Sequence, residues 1–533
     1  MTREVALPVI SLNLRDHPRV AGRANEILAQ QIPGMRQRRA ALPVFGWDDL
    51  RHDFAGAGWF SLQPVHAIPA HGKPTTPLRR NVVLGLWDGV TAMPLVTLSQ
   101  PGNFVLAALL TGTFAFSTRT YGFITSLPFW FNFLQVLLTP LLAQRLHART
   151  MTILSAWLHC LGWLALLVAL PFLPHRESPV TLAVFVITFS IVALSSAING
   201  VAWNAWMQVC IPVRLRGKYF GVRNGLLYLS LVGFMLAVSG LLAWLDGALL
   251  AFQLLFAGAL VLRVVSVLAQ SRMQTSTDNI PAVPEPPWRD QRVQVRADPM
   301  FVRFVLFAAA MGFASTLFGP FYAVFMLEEL HLTAAHTNLI LLLGVLGAAI
   351  SFPAWGRLID RYGNVPVMIV TMILWQVFNA LFCIVDANHL WLLYVINPAG
   401  GIFSAGYGIG LFGLLLKLSP PGARTMGMAL FVSVSSLTAA LGPITGGFLL
   451  TAAQARGVPA IDAFHAAFVA TPVLMTLCCL LLRPVRESNS ASVTDVVGAM
   501  RNVRTVASLF GLTFLVNQVF HRPGSRPSPP PQP

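Results

Sequence analysis

Long apolar runs separated by short polar clusters recur between residues 82 and 482. Twelve stand out, at 82–104, 119–142, 151–173, 180–206, 219–244, 248–269, 301–326, 337–357, 365–385, 390–416, 426–451 and 464–482. Each is about 20 residues or longer, enough for a helix to cross roughly 30 Å of hydrocarbon. Lipid offers no partner to an exposed backbone group, so helices and closed barrels alone span it, and runs of this length predict helices. The pattern predicts an all-α integral membrane protein of about twelve transmembrane helices. Pro94 and Pro101 interrupt the first run, and Pro128 and Asn132 the second. Such breaks are tolerated where neighbouring helices re-satisfy the backbone.

Polar segments divide these runs. Residues 1–80 scatter Arg, Asp and Pro without the apolar core and small-residue cleavage site of a signal peptide. They read as a cytoplasmic extension, with the first run as its own insertion signal. Residues 271–300, Pro-rich and charged, are expected to bridge two six-helix bundles at 81–270 and 301–482, and residues 483–533 form a cytoplasmic tail. Within the tail, Val493 to Phe520 is weakly amphipathic. Two readings stand for it: a strip along the inner membrane surface with Arg501 and Arg504 toward headgroups, or an ordinary tail. The closing RPGSRPSPPPQP packs no core. The two bundles repeat each other: Pro212 and Arg216 match Pro420 and Arg424 at an offset of 208, and Leu142 and Arg145 match Leu358 and Arg361 at 216. A duplicated six-helix unit is an architecture of alternating-access transporters.

Composition agrees: 55% of residues are hydrophobic, 11% are charged and the mean hydropathy is +0.67, too little charge for a water-soluble surface. The net charge of +16 raises nucleic acid as a partner, but its distribution argues for topology. With both termini in the cytoplasm, 32 of the 36 Lys and Arg fall in cytoplasmic tails and loops or at the adjoining helix ends. Arg119, Arg176 and Arg456 lie outside, and Arg263 falls within the sixth run. This positive-inside asymmetry sets the orientation, and no nucleic acid partner is expected. Cys160, Cys210, Cys383, Cys478 and Cys479 form no CxxC pair and have no His at ligand spacing, so neither a disulfide framework nor a metal site is expected. Without a P-loop, HExxH, GxSxG or paired-carboxylate pattern, no ATP, cofactor or catalytic activity is expected.

Between the eighth and ninth runs lies GRLIDRYGN, Gly356 to Asn364. Its two glycines permit a tight turn, and Asp360 is able to pair with an Arg or a helix N-terminus, as a latch at one mouth of a rocking pair of bundles. A solvated turn whose arginines serve topology is the plainer alternative. The stretch resembles the GxLxDRxGR-type loop of the major facilitator superfamily, through Gly356, Leu358, Asp360, Arg361 and Gly363, with Asn364 in place of a basic residue. The first-half counterpart around Arg145 has Pro140, Gln144 and His147 at the key positions, so a latch is expected mainly in the second half. RLRGKYFGVRN, Arg214 to Asn224, read as the loop leading into the fifth helix, is similar to an RGRYFGxRN run of a group of bacterial permeases in that superfamily. Gly217 and Gly221 there also permit close helix packing. Together with Leu84, Trp87, Asp88 and Gly89, the resemblance spans roughly residues 78–485. It implies a twelve-helix transporter with Gly356, Asp360, Arg361, Gly363, Arg145, Arg216, Gly217 and Arg424 in its gating loops.

Candidate solute or proton residues follow from polar groups inside apolar runs. Asp88 is the only acidic residue placed inside a first-half helix; a carboxylate there is costly and thus a functional candidate, unless it reaches the interface and pairs with Arg79 or Arg80. Asn199, Trp203 and Trp206 form one stripe of an amide and two indoles, suited to a ring-containing solute or, equally, to packing with the indoles in lipid. Asn132 and Gln135 are further candidates, while Gln376, Asn379 and His159 read as packing residues and Glu328 and Glu329 as solvated. Gly442 to Gly447, GPITGG, reads as a bend and packing surface, and Asn397 to Gly401 with Gly406, Gly408 and Gly410 as a pliable or closely packed helix.

The expected function is secondary active or facilitative movement of a small organic solute, with or without protons, across a bacterial inner membrane. The alternatives are proton-coupled efflux of amphipathic compounds and a transport-inactive receptor or assembly factor on the same scaffold.

Overall fold

The computed structural model describes residues 77–501 apart from 144, 212, 275–287, 421, 422, 486 and 488–490, with backbone alone at 77, 140, 143, 208, 213–218, 288, 424 and 425. Twelve spans of 21 to 30 residues are long and apolar enough to cross a membrane. The first is α1 (Pro77–Leu98), followed by the short α2 (Phe104–Ala107), which continues as a π turn to Thr113. Then come α3 (Thr118–Ala143), α4 (Ala148–Ala169), α5 (Pro179–Cys210), α6 (Val213–Trp244) and α7 (Leu249–Arg272). A polar linker helix, α8 (Trp288–Ala297), precedes the second set: α9 (Pro299–Leu317), α10 (Phe321–Glu328), α11 (Ala334–Tyr362), α12 (Asn364–Ala380), α13 (Leu393–Leu418), α14 (Arg424–Ala455) and α15 (Ala460–Leu482). A last helix, α16 (Val493–Arg501), follows.

The spans follow the sequence pattern to within several residues, with two departures. The first run does not continue to residue 104: the chain turns through Gly102 at φ +70°, and Asn103 caps α2 by accepting from the Val105 N–H at 2.8 Å. The seventh run breaks between α9 and α10, where Pro320 has no N–H to give. These breaks fall at matching places in the two halves and touch. A Cβ on Gly102 would lie 3.3 Å from the Cα of Pro320, so only glycine lets the strands of chain approach this closely.

The halves join at the end remote from residues 77, 272 and 482. There the Tyr121 hydroxyl donates to the Pro320 carbonyl at 3.1 Å, and Asn338 donates to Ser239 at 2.7 Å and to the carbonyl of Met235. Ser239 donates on to the Ala335 carbonyl at 3.2 Å. The hydrogen bonds just named lie at this end, which also carries the large shared core from Leu95 through Phe114 to Phe321, Phe325 and Phe468. In lipid such association is driven by close packing rather than by expulsion of water. GPITGG supplies that packing: Cβ atoms on Gly442 and Gly446 would fall 2.2 Å from Thr316 Oγ1 and 1.8 Å from the Leu317 carbonyl oxygen of α9, and one on Gly447 2.7 Å from the Thr118 carbonyl oxygen of α3. The reading of this motif as a packing surface fits. In the same way Gly401 and Gly347 seat α13 against α11, with Cβ positions 1.9 Å from the Gly344 carbonyl oxygen and 2.5 Å from that of Pro398. Close packing, rather than pliability, is what the Asn397 to Gly401 stretch provides.

Two loop readings need correction. RLRGKYFGVRN is not a loop, since α6 begins at Val213 and places Arg216 and Gly217 on its first turns. In GRLIDRYGN, Gly356 sits in open space within α11, and Gly363 alone makes the turn, at φ +94°. Asp360 and Arg361 are exposed, Arg361 lying 5.3 Å from the Tyr362 ring centroid, and no described residue bonds the Asp360 carboxylate. The carboxylate at the α12 N-terminus is that of Glu487. It accepts from the Asn364 N–H at 2.7 Å, the Asn364 side-chain amide at 2.8 Å and the Val365 N–H at 3.3 Å, and it pairs with Lys417. Asn364, the departure from the basic residue of the motif, thus serves as a donor to the tail. Beyond it, α16 buries Val496 and Ala499 against the second bundle, and the Ala491 N–H donates to the Tyr362 carbonyl at 2.9 Å. Arg501 is exposed, and residues 502–520 of the amphipathic run lie outside the described residues, as does the extension at 1–76.

Burial alone would push the Glu487 carboxyl upward, but its bonds to Lys417 and Asn364 outweigh this and hold it below the usual carboxylate range. A depressed folded-state value means stabilisation present above the unfolded value near pH 4.5 and lost as the pH falls through the folded one. Glu487→Gln is expected to cost about 2 kcal/mol at pH 7. In thermal melts the gap from wild type should close below pH 4; a gap unchanged by pH would remove the charge from the explanation.

Candidate functional site

Asp88 is 2% exposed, and neither Arg79 nor Arg80, both exposed, neutralises it. Its Oδ2 accepts from the Trp203 indole N–H of α5 at 2.9 Å, and its Oδ1 from Ser266 and Gln270 of α7, both at 2.7 Å. Three donors suit an ionised, acceptor-only carboxylate. Arg263 donates to Ser266 at 3.0 Å and to the Asn199 side-chain oxygen at 3.3 Å, and Asn199 donates to the Thr152 carbonyl at 2.8 Å and to Ser155 at 3.1 Å. The Arg223 guanidinium stacks 4.0 Å from the centroid of a Trp203 ring. One carboxylate and two guanidiniums therefore share a buried polar cluster that ties α1, α5, α6 and α7 together.

Two stretches singled out in the sequence meet here. A Cβ on Gly85 would lie 2.3 Å from the Tyr219 hydroxyl, and one on Gly89 3.0 Å from Arg223 Nε. The glycines flanking Trp87 and Asp88 thus admit the tyrosine and arginine of KYFGVR. Arg223 and Tyr219 were missed as neighbours of the Asp88 cluster because nothing in one dimension says which face of α6 meets α1.

The structure divides the remaining candidates. Asn199 and Trp203 join the Asp88 cluster, and Trp206, 1% exposed, packs with Trp203, Met207 and Tyr219, so neither indole faces lipid. Gln135 is buried and accepts from Thr139 of its own helix at 2.9 Å, and no described hydrogen bond joins it or Asn132 to this cluster. Arg145 is exposed, and for Arg216, Gly217 and Arg424 the backbone alone is described. His159 bonds Ser99 at 2.9 Å, as the packing reading expects.

A cavity of about 550 Å³ lies between the halves, and none of the candidates lines it. Its first-half wall is Gly102, Tyr228 and Leu231; the second half contributes Tyr322, Trp375, Asn379, Asn397 and Ser404 among others, and no lining residue is charged. Tyr228 and Tyr322 carried a signal, being aromatic residues with polar tips inside apolar runs. Asn379, read as a packing residue, bonds Gln376 at 3.3 Å and also lines the cavity.

Two six-helix bundles enclosing a cavity, sealed at one end, define a polytopic membrane protein of secondary-transporter architecture. The family model of the Major Facilitator Superfamily matches residues 304–523, and solved structures of transporters share the fold. Among solved structures, a D-xylose-proton symporter is 14% identical with a TM-score of 0.60, covering 79% of this chain and 99% of its own. The fucose:proton symporter FucP of E. coli is 13% identical with a TM-score of 0.52, covering 77% and 100%. Among curated proteins, multidrug resistance protein MdtG of Dickeya zeae is 28% identical over 221 residues, 38% of this chain and 50% of its own length. MdtG of Escherichia fergusonii is 26% identical over 213 residues, again 38% and 50%. The chain spans about half the length of the curated relatives it matches.

Proposed function

We propose that this protein is a secondary transporter of a bacterial inner membrane, moving a small organic solute by rocking its two bundles about the cavity, with both termini in the cytoplasm. The observation that carries the reading is an uncharged cavity between two halves that are hydrogen-bonded to each other at one end. The arginine distribution supports reading that bonded end as the outer one and the conformation as open toward the cytoplasm. Asp360 with no hydrogen-bond partner among the described residues fits this state: a latch at the cytoplasmic mouth forms when that mouth closes. The similarity to MdtG favours export as a second reading, with Asp88 as the group through which protons couple.

The test uses proteoliposomes carrying an internal pH dye, with neutral metabolites and amphipathic antimicrobials presented with and without a proton gradient. Solute flux is expected from wild type. Proton movement lost in Asp88→Asn while solute binding survives places Asp88 on the proton path; unchanged proton movement leaves it a structural clamp. Absence of flux for every compound, from protein with a normal melting transition, sinks the transport reading in favour of a receptor role. In that case deletion of residues 1–75 should abolish function.

A further inference from the structure

We infer that the cavity selects a neutral, hydroxyl-rich ring solute, held by a wall that offers more hydrogen-bond acceptors than donors; this rests on the transporter reading of the same site. No Asp, Glu, Lys, Arg or His lines the cavity, and the buried Asp88 and Arg263 of the first half lie elsewhere, both hydrogen-bonded to Ser266. An ion placed there would lose its hydration with nothing to replace it, so charged solutes are disfavoured.

The wall's own protons are largely spent. Ser315 donates to the Gly312 carbonyl at 3.2 Å, Ser404 to that of Gly401 at 3.1 Å and Thr471 to that of Ala467 at 3.0 Å. A hydroxyl has one proton and two lone pairs, so each of these three lining residues has spent its donor on its own helix and presents acceptors. Asn397 likewise gives its amide to the Leu393 carbonyl at 2.9 Å and keeps its side-chain oxygen. Against these four stand three donors: the Trp375 indole N–H, the Tyr228 hydroxyl and the Tyr322 hydroxyl, the last buried and unbonded among the described residues. The Tyr322 ring is clamped between Phe468, stacked at 4.5 Å and 9°, and Phe382, also at 4.5 Å. Acceptors in this number are satisfied by a solute that brings several donors, which describes a polyol ring rather than an ester or an ether. Trp375 and Tyr228, on opposite halves, supply aromatic surface for the ring itself.

The test measures binding by calorimetry to the detergent-purified full chain, using glucose, myo-inositol and uridine as probes. Each is compared with a charged counterpart (glucuronate, inositol phosphate, uridine monophosphate) and with its O-acetylated form, which keeps the ring and removes the donors. At least one neutral probe is expected to bind, with both counterparts weaker by about tenfold or more. Ser404→Ala and Thr471→Val, each removing one acceptor with little change of shape, should weaken the free polyol about 3- to 10-fold and leave the acetylated form unchanged, in proteins that melt like wild type. Equal binding of charged or acetylated forms, or no binding by any neutral probe, overturns the proposal. A probe that binds but does not cross proteoliposomes would defeat the transport reading and leave the site standing. Flux of amphipathic drugs with no polyol binding would do the reverse.

Discussion

Asp88→Asn is expected to lower stability by about 3 kcal/mol, because it leaves the buried Arg263 guanidinium and the half-buried Arg223 guanidinium without a compensating charge. The amide also brings a donor to a position where Trp203, Ser266 and Gln270 already donate. In detergent the melting temperature should fall by about 5–10 °C. Adding Arg263→Gln should recover a good part of that loss, since it removes one of the two stranded charges. The double variant is also the folded background in which proton coupling is best judged. A single variant that melts like wild type would mean that water or lipid, not Asp88, balances the two arginines.

The second large effect is conformational. A Cβ on Gly122 would stand 2.3 Å from the Pro443 carbonyl oxygen and 3.1 Å from Phe321 Cζ, across the joined end of the halves. Gly122→Val cannot keep that contact, so α3 and α14 must separate there and the equilibrium must move toward the state open at the other face. A free-energy shift of about 1.4 kcal/mol changes the population tenfold. A cysteine placed at Ser404 in a cysteine-free background should then react with an impermeant maleimide added outside about ten times faster than without Gly122→Val. Gly401→Ala is the control. Its Cβ would lie 1.9 Å from the Gly344 carbonyl oxygen, within one bundle, so it should lower the melting temperature without opening the outer face. Equal labelling with and without Gly122→Val would show that this contact does not set the conformation.

Much of the fold was legible because a transmembrane helix is specified locally. About 20 apolar residues are sufficient, and the twelve runs follow from that. The helix breaks were partly legible: Pro101 and Pro320 mark them, but whether a proline bends a helix or ends it depends on what re-satisfies the freed carbonyls, as Asn103 does by donating to the Thr97 carbonyl at 2.7 Å. The candidate site was legible only in part. Asp88 stood out because a carboxylate in an apolar run has no inexpensive explanation, and Asn199 and Trp203 fell on its network because they share one stripe of α5. The cavity did not stand out, since its lining residues are spread over helices far apart in sequence, one or two to a helix, with no charge to mark them.

The sequence by itself determined the membrane-spanning class and the twelve spans, because both depend on local apolar length. Only the tertiary structure decided that Glu487, not Asp360, caps α12 in this conformation, that Gly85 and Gly89 exist to admit Tyr219 and Arg223, and that the cavity belongs mainly to the second bundle. Those are questions of which helix faces meet. In a chain whose helices are apolar on most sides, that choice is made by close packing at glycines and by a few buried polar partners, which periodicity does not encode.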